Sequence, residues 1–310
     1  MKGVILAAGK GTRLYPVTRH IPKALVPIAG KATILYGIER LVEAGIDNVC
    51  VVVGEGEHAI RDALGDEAEG ARLSYVIQTE PRGLAHAVRF ARDFVAGDPF
   101  CLYLGDAVYD RSLAPYRARF EESGCASLNL VKPVRNPERF GVAHVECERI
   151  TRLVEKPSHP ESNLAMAGVY FFRDPIWEAI EALQPSARGE YEITDGIQLL
   201  VERGEEVLAG VYEGNWFDTG TLSSLLECSA FLLSGGMRVG ARSLVTGAIG
   251  RNVAIGADAT VRCSAIENSI VLDGARVDCD GAIRGCLIGG SAAADTLNDS
   301  IVWNDDSVTP

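Results

Sequence analysis

Short, mostly apolar runs recur along the first part of the chain, at residues 4–7, 48–53, 73–78, 100–106 and 166–172. They are rich in Val, Ile, Leu and Phe and do not alternate with polar residues, which is the pattern of strands buried on both faces of a parallel sheet. Between them, apolar positions spaced at a helical period predict helices over 33–44, ending near Gly45, over 58–64 and over 84–94. Strand and helix in alternation predict an α/β fold with a doubly wound, mostly parallel sheet of Rossmann-like design. In such sheets ligands sit beyond the carboxyl ends of the strands, so chemistry is sought just after each run.

The pattern changes from Val239. Helical periodicity stops, and single aliphatics alternate with small residues. Ile249, Ile255 and Val261 are six apart, as are Val271, Val277 and Ile283. This hexad repeat resembles a short left-handed parallel β-helix, with each aliphatic pointing inward from one side of a coil. The stretch from Cys263 to Ser269 breaks the phase, and residues 296–310 lose it, which predicts a cap and tail. Two domains are expected, 1–235 and 236–310, consistent with a length of 310 residues.

Composition narrows the partners. A net charge of −12 excludes nucleic acid as the main partner, because that binding needs a basic face. The eight cysteines are scattered without a Cys-x-x-Cys pair, and Cys50 and Cys101 lie in apolar runs, so reduced, buried thiols are expected. No segment reads as a signal peptide and none is long and apolar enough to span a bilayer. The expectation is a cytoplasmic protein without a membrane partner.

The first apolar run empties into Gly9-Lys10-Gly11-Thr12-Arg13-Leu14, followed by Ile21-Pro22-Lys23. Glycines there let backbone N–H groups approach a ligand, and Thr12, Arg13 and Lys23 add a hydroxyl and two cations, chemistry suited to a polyphosphate. Three alternatives are open. A dinucleotide loop would start its helix at the glycines, whereas the next helical pattern begins near Ile34. A P-loop needs Gly-Lys-Ser/Thr, and the chain offers Gly9-Lys10-Gly11 and Gly30-Lys31-Ala32. The third alternative is a nucleotidyltransferase loop. The whole string from Leu6 to Ile28, LAAGKGTRLYPVTRHIPKALVPI, closely resembles the signature of sugar-1-phosphate nucleotidyltransferases. The nearest likeness is to glucose-1-phosphate thymidylyltransferases of the long form, which carry a C-terminal left-handed β-helix.

That resemblance extends over residues 3–228 and implies roles residue by residue. Leu6, Ala8, Gly9, Gly11 and Thr12 would hold the nucleotide, and Gln78, Pro81 and Gly83 its base. Taken alone, Gln78 would be a solvated glutamine before an ordinary turn. His86 reads as a packed or capping residue. Asp106, at the end of the 100–106 run, and Asp218, in Trp216-Phe-Asp-Thr-Gly220, would bind Mg²⁺. A carboxylate ~4 Å from a phosphate oxygen repels it by about 4 kcal/mol at an effective dielectric near 20, so two of them beside a triphosphate call for a cation between. Ala107 departs from the asparagine or aspartate common in the family, which bears on a sugar contact. On the acceptor side, Arg139-Phe-Gly-Val142, Glu155-Lys-Pro157, Tyr170 and the run 186–195 match thymidylyl- and uridylyltransferases. They imply that Gly141 and Glu155 take sugar hydroxyls, that Tyr170 lies near the sugar phosphate, and that Lys156 and Arg188 hold it. Arg13, Lys23, Asp106 and Lys156 are the expected catalytic set.

The implied reaction joins dTTP or UTP to a sugar 1-phosphate, with glucose 1-phosphate foremost, giving NDP-sugar and pyrophosphate. The alternatives are a UTP–glucose-1-phosphate uridylyltransferase or another NDP-sugar pyrophosphorylase. A non-catalytic sugar-nucleotide sensor is disfavoured because Arg13, Lys23, Asp106 and Asp218 are all present. Acyl transfer by the C-terminal domain is disfavoured because no histidine follows His159. That domain is expected to serve assembly of a homo-oligomer.

Overall fold

The computed structural model describes residues 1–54, 58–304 and 306–309. Asp305 and Pro310, within the expected cap and tail, lie outside the described residues. Compact packing groups the chain into two units that interleave in sequence: Met1–Gly9 with Gly37–Trp216, and Lys10–Tyr36 with Phe217–Pro310.

The first unit is built on a ten-stranded sheet. Its strands are β1 (Lys2–Leu6), β2 (Asn48–Gly54), β3 (Ala71–Gln78), β4 (Phe100–Leu104), β5 (Ser127–Pro133), β6 (Gly141–Glu146), β7 (Arg149–Glu155), β8 (Leu164–Phe172) and β9 (Val207–Val211), with a short edge strand, Glu67–Ala68. Their order is β6-β7-β9-β5-β8-β4-β1-β2-β3, then the edge strand. β3, β2, β1 and β4 all run parallel. β8 is antiparallel to β4 and β5, β9 is parallel to β5, and β6 and β7 form an antiparallel hairpin. The sheet is thus the doubly wound, mostly parallel one expected.

Burial explains the choice of strand residues. Val4, Ile5, Val51, Val52, Phe100 and Leu102 have no solvent exposure, so both faces of the central strands are covered. Each such side chain contributes about 1.5–3 kcal/mol relative to leaving it in water. One covering layer is formed by helices Pro175–Ala182 and Ile193–Glu202, whose Ile176, Ile180, Ile197 and Leu200 join Val4, Val52, Leu102 and Phe172 in a single cluster.

Two local expectations are corrected. The 84–94 helix is two pieces, Leu84–Arg89 and Arg92–Val95. The backbone tightens between them: the N–H groups of Phe90 and Ala91 reach back three residues, to Ala87 and Val88, and Ala91 is fully buried. The 100–106 strand stops at Leu104, and Asp106 lies in the turn that follows. The other helices keep close to their predicted bounds, as Thr33–Glu43 and His58–Leu64. The first is ended by Gly45 at φ +74°, where a Cβ would lie 2.5 Å from Nη1 of Arg117. All eight cysteines are free and all but Cys147 are buried. No helix among the described residues is long and apolar enough to cross a membrane.

The second unit contains stacked parallel strands. Val253–Ile255 pairs with Met237–Val239 on one side and Ser269–Val271 on the other, and the stack continues through Leu287–Gly289 to Ile301–Trp303. A companion sheet stacks Leu244–Ile249, Thr260–Glu267, Arg276–Cys279 and Ser291–Ala294. The step from strand to strand is sixteen residues at Val253–Ser269 and Val261–Val277. Ile255, Val261, Val271, Val277 and Ile283 of the hexad pattern share one buried cluster, with Ile249 packed against it. The predicted break at 263–269 is a bulge inside a continuous strand. Two residues, Cys263 and Ser264, face Gly247, whose missing Cβ leaves room for the Cys263 carbonyl. At the far end Ile301–Trp303 turns back on Asp306–Val308 in antiparallel pairing.

This unit also holds the arm that follows the glycine-rich loop. His20 stacks on Trp303 with ring centroids 4.3 Å apart and planes 6° from parallel, and Arg19 pairs with Asp306 at 3.6 Å. Surface ion pairs of that kind contribute little, whereas stacked rings are worth about 0.5–1.5 kcal/mol beyond their buried area. A double-mutant cycle with His20→Ala and Trp303→Ala, read by chemical denaturation, should return a coupling energy of about 1 kcal/mol. Strictly additive losses would show that the stack does not hold the arm.

Candidate active site

The sheet places the first group of residues. β1 pairs with β2 on one side and β4 on the other, so the strand order reverses at β1, the position where open α/β sheets bind ligands. Leu6 lies opposite Leu104, and the Gly105 N–H donates to the Leu6 carbonyl at 2.9 Å, so both strands end side by side. Ala8 and Gly9 follow β1, the latter exposed, and a Cβ at Gly9 would meet nothing within 4 Å. The protein's own packing therefore does not require glycine there. Asp106, half-buried, follows β4. Tyr170 of β8 is buried; burial first, then the carboxylates of Glu155 and Asp106, push its phenol well up. The field of both acids reaches this one side chain.

At the end of β3, Gln78 is only 5% exposed. Its Nε2 donates to Nδ1 of His86 at 3.0 Å and, more weakly, to the Gly83 carbonyl at 3.4 Å. Gly83 has φ +103°, and a Cβ there would lie 2.5 Å from the Tyr191 carbonyl oxygen. The close approach is sealed by Tyr191 N–H to Arg82 O at 2.8 Å and Ala85 N–H to Tyr191 O at 3.0 Å. Pro81 is exposed in the same turn. Burial first, then Arg82 and Arg89, hold His86 below the usual imidazole range, against the opposing influence of Glu80. His86, expected as a packed or capping residue, does pack against Phe90 and Tyr191, and it also bonds Gln78, which its sequence context did not indicate.

The acceptor-side residues meet around Glu155. Its Oε2 accepts from Thr194 Oγ1 at 2.7 Å, and its Oε1 lies 3.2 Å from Arg188 Nη2 and 3.4 Å from Lys156 Nζ. Gly141 faces this pair, and a Cβ on it would come within 2.6 Å of Thr194 Oγ1. Arg188 also bonds Glu192 at 2.7 Å and approaches Glu190 at 3.5 Å. Lys156 and Arg188 therefore form no bare cationic pocket here, since each is already paired with a carboxylate. Asp195, next to this group, has its carboxyl pushed up by burial and by the charges of Glu192 and Glu155. Sequence matching found the run 186–195 but assigned no role to Thr194 or Glu192, which fix the orientation of Glu155 and Arg188.

A supporting network went unread in the sequence altogether. Asp110 accepts from Tyr212 Oη at 3.0 Å, from Asn215 N at 2.7 Å and from Asn215 Nδ2 at 2.7 Å. It ties the segment after Asp106 to the segment before Trp216, and Gly214 is small because any Cβ would strike Asp110.

The second unit holds the remaining candidates. Gly11 has φ +62°, and a Cβ there would lie 3.0 Å from Lys23 Cβ, so here glycine is required by the fold itself. Thr18 Oγ1 donates to the Gly11 carbonyl at 2.7 Å. Thr12 and Arg13 are exposed on a single 3₁₀ turn anchored by buried Leu14. A Cβ at Gly220 would stand 2.7 Å from Arg13 Nη2 and 3.0 Å from Asp218 Oδ1, so Arg13 and Asp218 share one small cluster, and the Gly220 N–H donates to that oxygen at 3.1 Å. Among the described residues no group of three or more His, Cys, Asp or Glu could hold a metal ion by itself. Asp106 and Asp218 have the chemistry of Mg²⁺ ligands, since Mg²⁺ keeps few carboxylates and takes phosphate and water oxygens for the rest.

Residues 2–235 match the model of the nucleotidyl transferase family. The chain is 42% identical over 236 residues to the low-salt glycan biosynthesis nucleotidyltransferase Agl11 of Haloferax volcanii, covering 75% of this chain and 66% of that one, just under two thirds. It is 37% identical over 330 residues to a glucose-1-phosphate thymidylyltransferase of Streptomyces griseus, covering 93% and 92%. A solved UDP-glucose pyrophosphorylase complexed with UDP-glucose superposes with a TM-score of 0.70 at 28% identity, over 75% of this chain and 98% of that one. With a glycine-rich loop after the first strand of a doubly wound sheet, and these likenesses along it, the chain belongs to the nucleotidyl transferase family and is a sugar-phosphate nucleotidyltransferase.

Proposed function

We propose that the chain transfers a nucleotidyl group from dTTP or UTP to glucose 1-phosphate, releasing pyrophosphate. The observation that carries the choice of base is the Gln78 amide. Both hydrogens of its Nε2 are directed at His86 and Gly83, which leaves Oε1 as an acceptor for the N3–H that thymine and uracil carry and cytosine lacks. The choice of sugar follows the relatives named for glucose 1-phosphate.

The nucleophile is already an anionic phosphate oxygen, so no general base is needed and catalysis is alignment for in-line attack plus charge neutralisation. Leu6, Ala8, Gly9, Gly11 and Thr12 are assigned to the nucleotide, with Gln78, Pro81 and Gly83 at its base. A glycine at position 9 that its own fold does not need supports a ligand at that point. Arg13 and Lys23 offset charge on the attacked phosphate and the leaving pyrophosphate. Gly141 leaves room for Glu155 to take sugar hydroxyls, Tyr170 lies near the sugar phosphate, and Lys156 and Arg188 exchange a carboxylate for it. Asp106 and Asp218 are the proposed ligands of Mg²⁺, which would supply further neutralisation of the triphosphate.

We extend the proposal to organisation. Residues 1–235 act as the catalytic domain and 236–310 form a left-handed β-helix, supported by the parallel stacking and the inward hexad aliphatics. Homo-oligomer formation is supported by the first coil, where Met237, Val239 and Leu244 are exposed apolar residues on strands paired on one side. Eight free thiols suit the reducing cytoplasm.

Three outcomes test this reading. Asp106→Asn and Asp218→Asn should each lower single-turnover rates at saturating Mg²⁺ by at least about 100-fold with the unfolding curve unmoved, since an amide neither binds the cation well nor neutralises it. Near-normal turnover removes that residue from the metal site. Arg188→Ala should raise KM for glucose 1-phosphate about tenfold or more, the loss of a charge-assisted hydrogen bond of about 1.5–3 kcal/mol, while KM for the nucleotide holds. A change in nucleotide KM alone would place Arg188 elsewhere. Across the nucleotides, kcat/KM for dTTP and UTP should agree within about fourfold, one buried methyl being worth ~0.8 kcal/mol, apart from any effect of the ribose 2′-hydroxyl. A preference for ATP or GTP refutes the assignment of Gln78.

A further inference from the structure

We propose that His86 is the positioning residue for base selection: its Nδ1 accepts from Gln78 Nε2 and so turns the Gln78 carbonyl oxygen, not the amino group, toward the base. The inference rests on the assignment of Gln78 to the base. It goes beyond it by naming the group that sets which end of the amide is presented.

The orientation follows from two acceptors. A side-chain amide can be placed either way round, and only its neighbours decide. The Gly83 carbonyl has no hydrogen to give, so the group 3.4 Å from it is the NH₂. That same nitrogen stands 3.0 Å from His86 Nδ1, which must then be an unprotonated acceptor with its hydrogen on Nε2. With Gly83 alone, a single long bond would hold the amide. With His86 both hydrogens are engaged, and a base bearing an acceptor at N3 meets another acceptor.

The surroundings hold the ring in place and keep it uncharged. Phe90 meets its face edge-on at 5.2 Å, and Tyr191 lies 6.2 Å away, 25° from parallel. Arg82 and Arg89 both lie over the Tyr191 ring at 5.2 Å. The charged and titratable groups facing His86 are thus Arg82 and Arg89, which oppose a proton on it, Glu80, which favours one, and the Tyr191 phenol. Burial and the two arginines prevail, so the acceptor form is present at neutral pH. Protonation would put an N–H on Nδ1 against the Gln78 NH₂. The amide would turn over, giving up its long 3.4 Å bond to the Gly83 carbonyl for the stronger bond from the imidazolium to Oε1, and NH₂ would face the base, matching N3 of cytosine and opposing N3–H of uracil. Acidification therefore shifts preference toward CTP.

The test is kcat/KM for UTP, dTTP and CTP with glucose 1-phosphate, from about pH 5 to 8, on the full chain and on His86→Ala, His86→Asn and Gln78→Ala. The UTP/CTP ratio cancels ionisation of the sugar phosphate and of the triphosphates, which are common to both arms. For the native chain a ratio of about tenfold or more at neutral pH should fall about tenfold on acidification. His86→Ala should show a reduced ratio that no longer depends on pH. His86→Asn, whose Oδ1 offers an acceptor near the place of Nδ1, should restore the neutral-pH ratio without the acid fall. Should His86→Ala fail to fold by its melting curve, the native pH profile and His86→Asn decide. If His86→Ala keeps the native ratio and its pH dependence while Gln78→Ala loses discrimination, His86 does not position the amide. If Gln78→Ala leaves the ratio unchanged, the base assignment fails and this inference with it.

Discussion

The parallel pairing of β1 with β4 is the constraint on which the first unit depends. The two strands are far apart in sequence, and parallel partners can be joined only by crossovers, so the chain between them runs through β2, β3 and their helices on one side of β1 before it returns to pair as β4 on the other. The register sets Leu6 against Leu104, and it is held because both strands are buried on both faces. Gly105 extends the pairing by one bond, and a Cβ there would press against the Leu6 carbonyl at 2.8 Å. The glycine-rich loop and Asp106 consequently leave the sheet from neighbouring strand ends. A one-residue slip would turn Asp106 and every side chain of β4 to the opposite face.

The residues around Glu155 show how an acidic chain keeps its cations paired. Arg188 lies among Glu155, Glu190 and Glu192, and Lys156 also leans on Glu155. Such pairing keeps two flexible cations in place near the sheet, with Thr194 bonding the far oxygen of Glu155. A phosphate dianion offers the same bidentate partner to arginine as a carboxylate does, so the proposed exchange would leave Arg188 paired throughout. Asp195 beside these residues has its carboxyl pushed up by burial and by the charges of Glu192 and Glu155, against the opposing influence of Arg188.

The stacked strands of the second unit do more than the assembly role their repeat suggested. Trp303 and Asp306, near the chain end, contact His20 and Arg19, a few residues before Lys23. Arg238, on the first strand of the stack, lies against Gly30, at the end of the same arm. The conformation of the arm is therefore bound to coils that follow it by more than two hundred residues. The arm touches both the first and the last strand of the stack, while Met237 and Leu244 remain exposed.

Sequence alone determined what local pattern and chemical type can encode. Apolar runs of 4–7 residues named the central strands because burial on both faces demands them, the hexad aliphatics named members of one buried cluster between the stacked strands, and the string from Leu6 to Ile28 named the family. Tertiary structure decided what depends on groups distant in sequence. It stopped the 100–106 strand at Leu104, where pairing with β1 ends, and split the 84–94 helix where Ala91 enters the core. It separated two glycines of the same loop, Gly11 demanded by its own backbone and by Lys23, Gly9 by nothing inside the protein. It turned the Gln78 amide through His86 and Gly83, and it gathered Thr194, Glu192 and Arg188 about Glu155. Orientation of an amide and partnership of a charge are set by which atoms lie within about 3 Å, and that distance is a property of the fold, not of spacing along the chain.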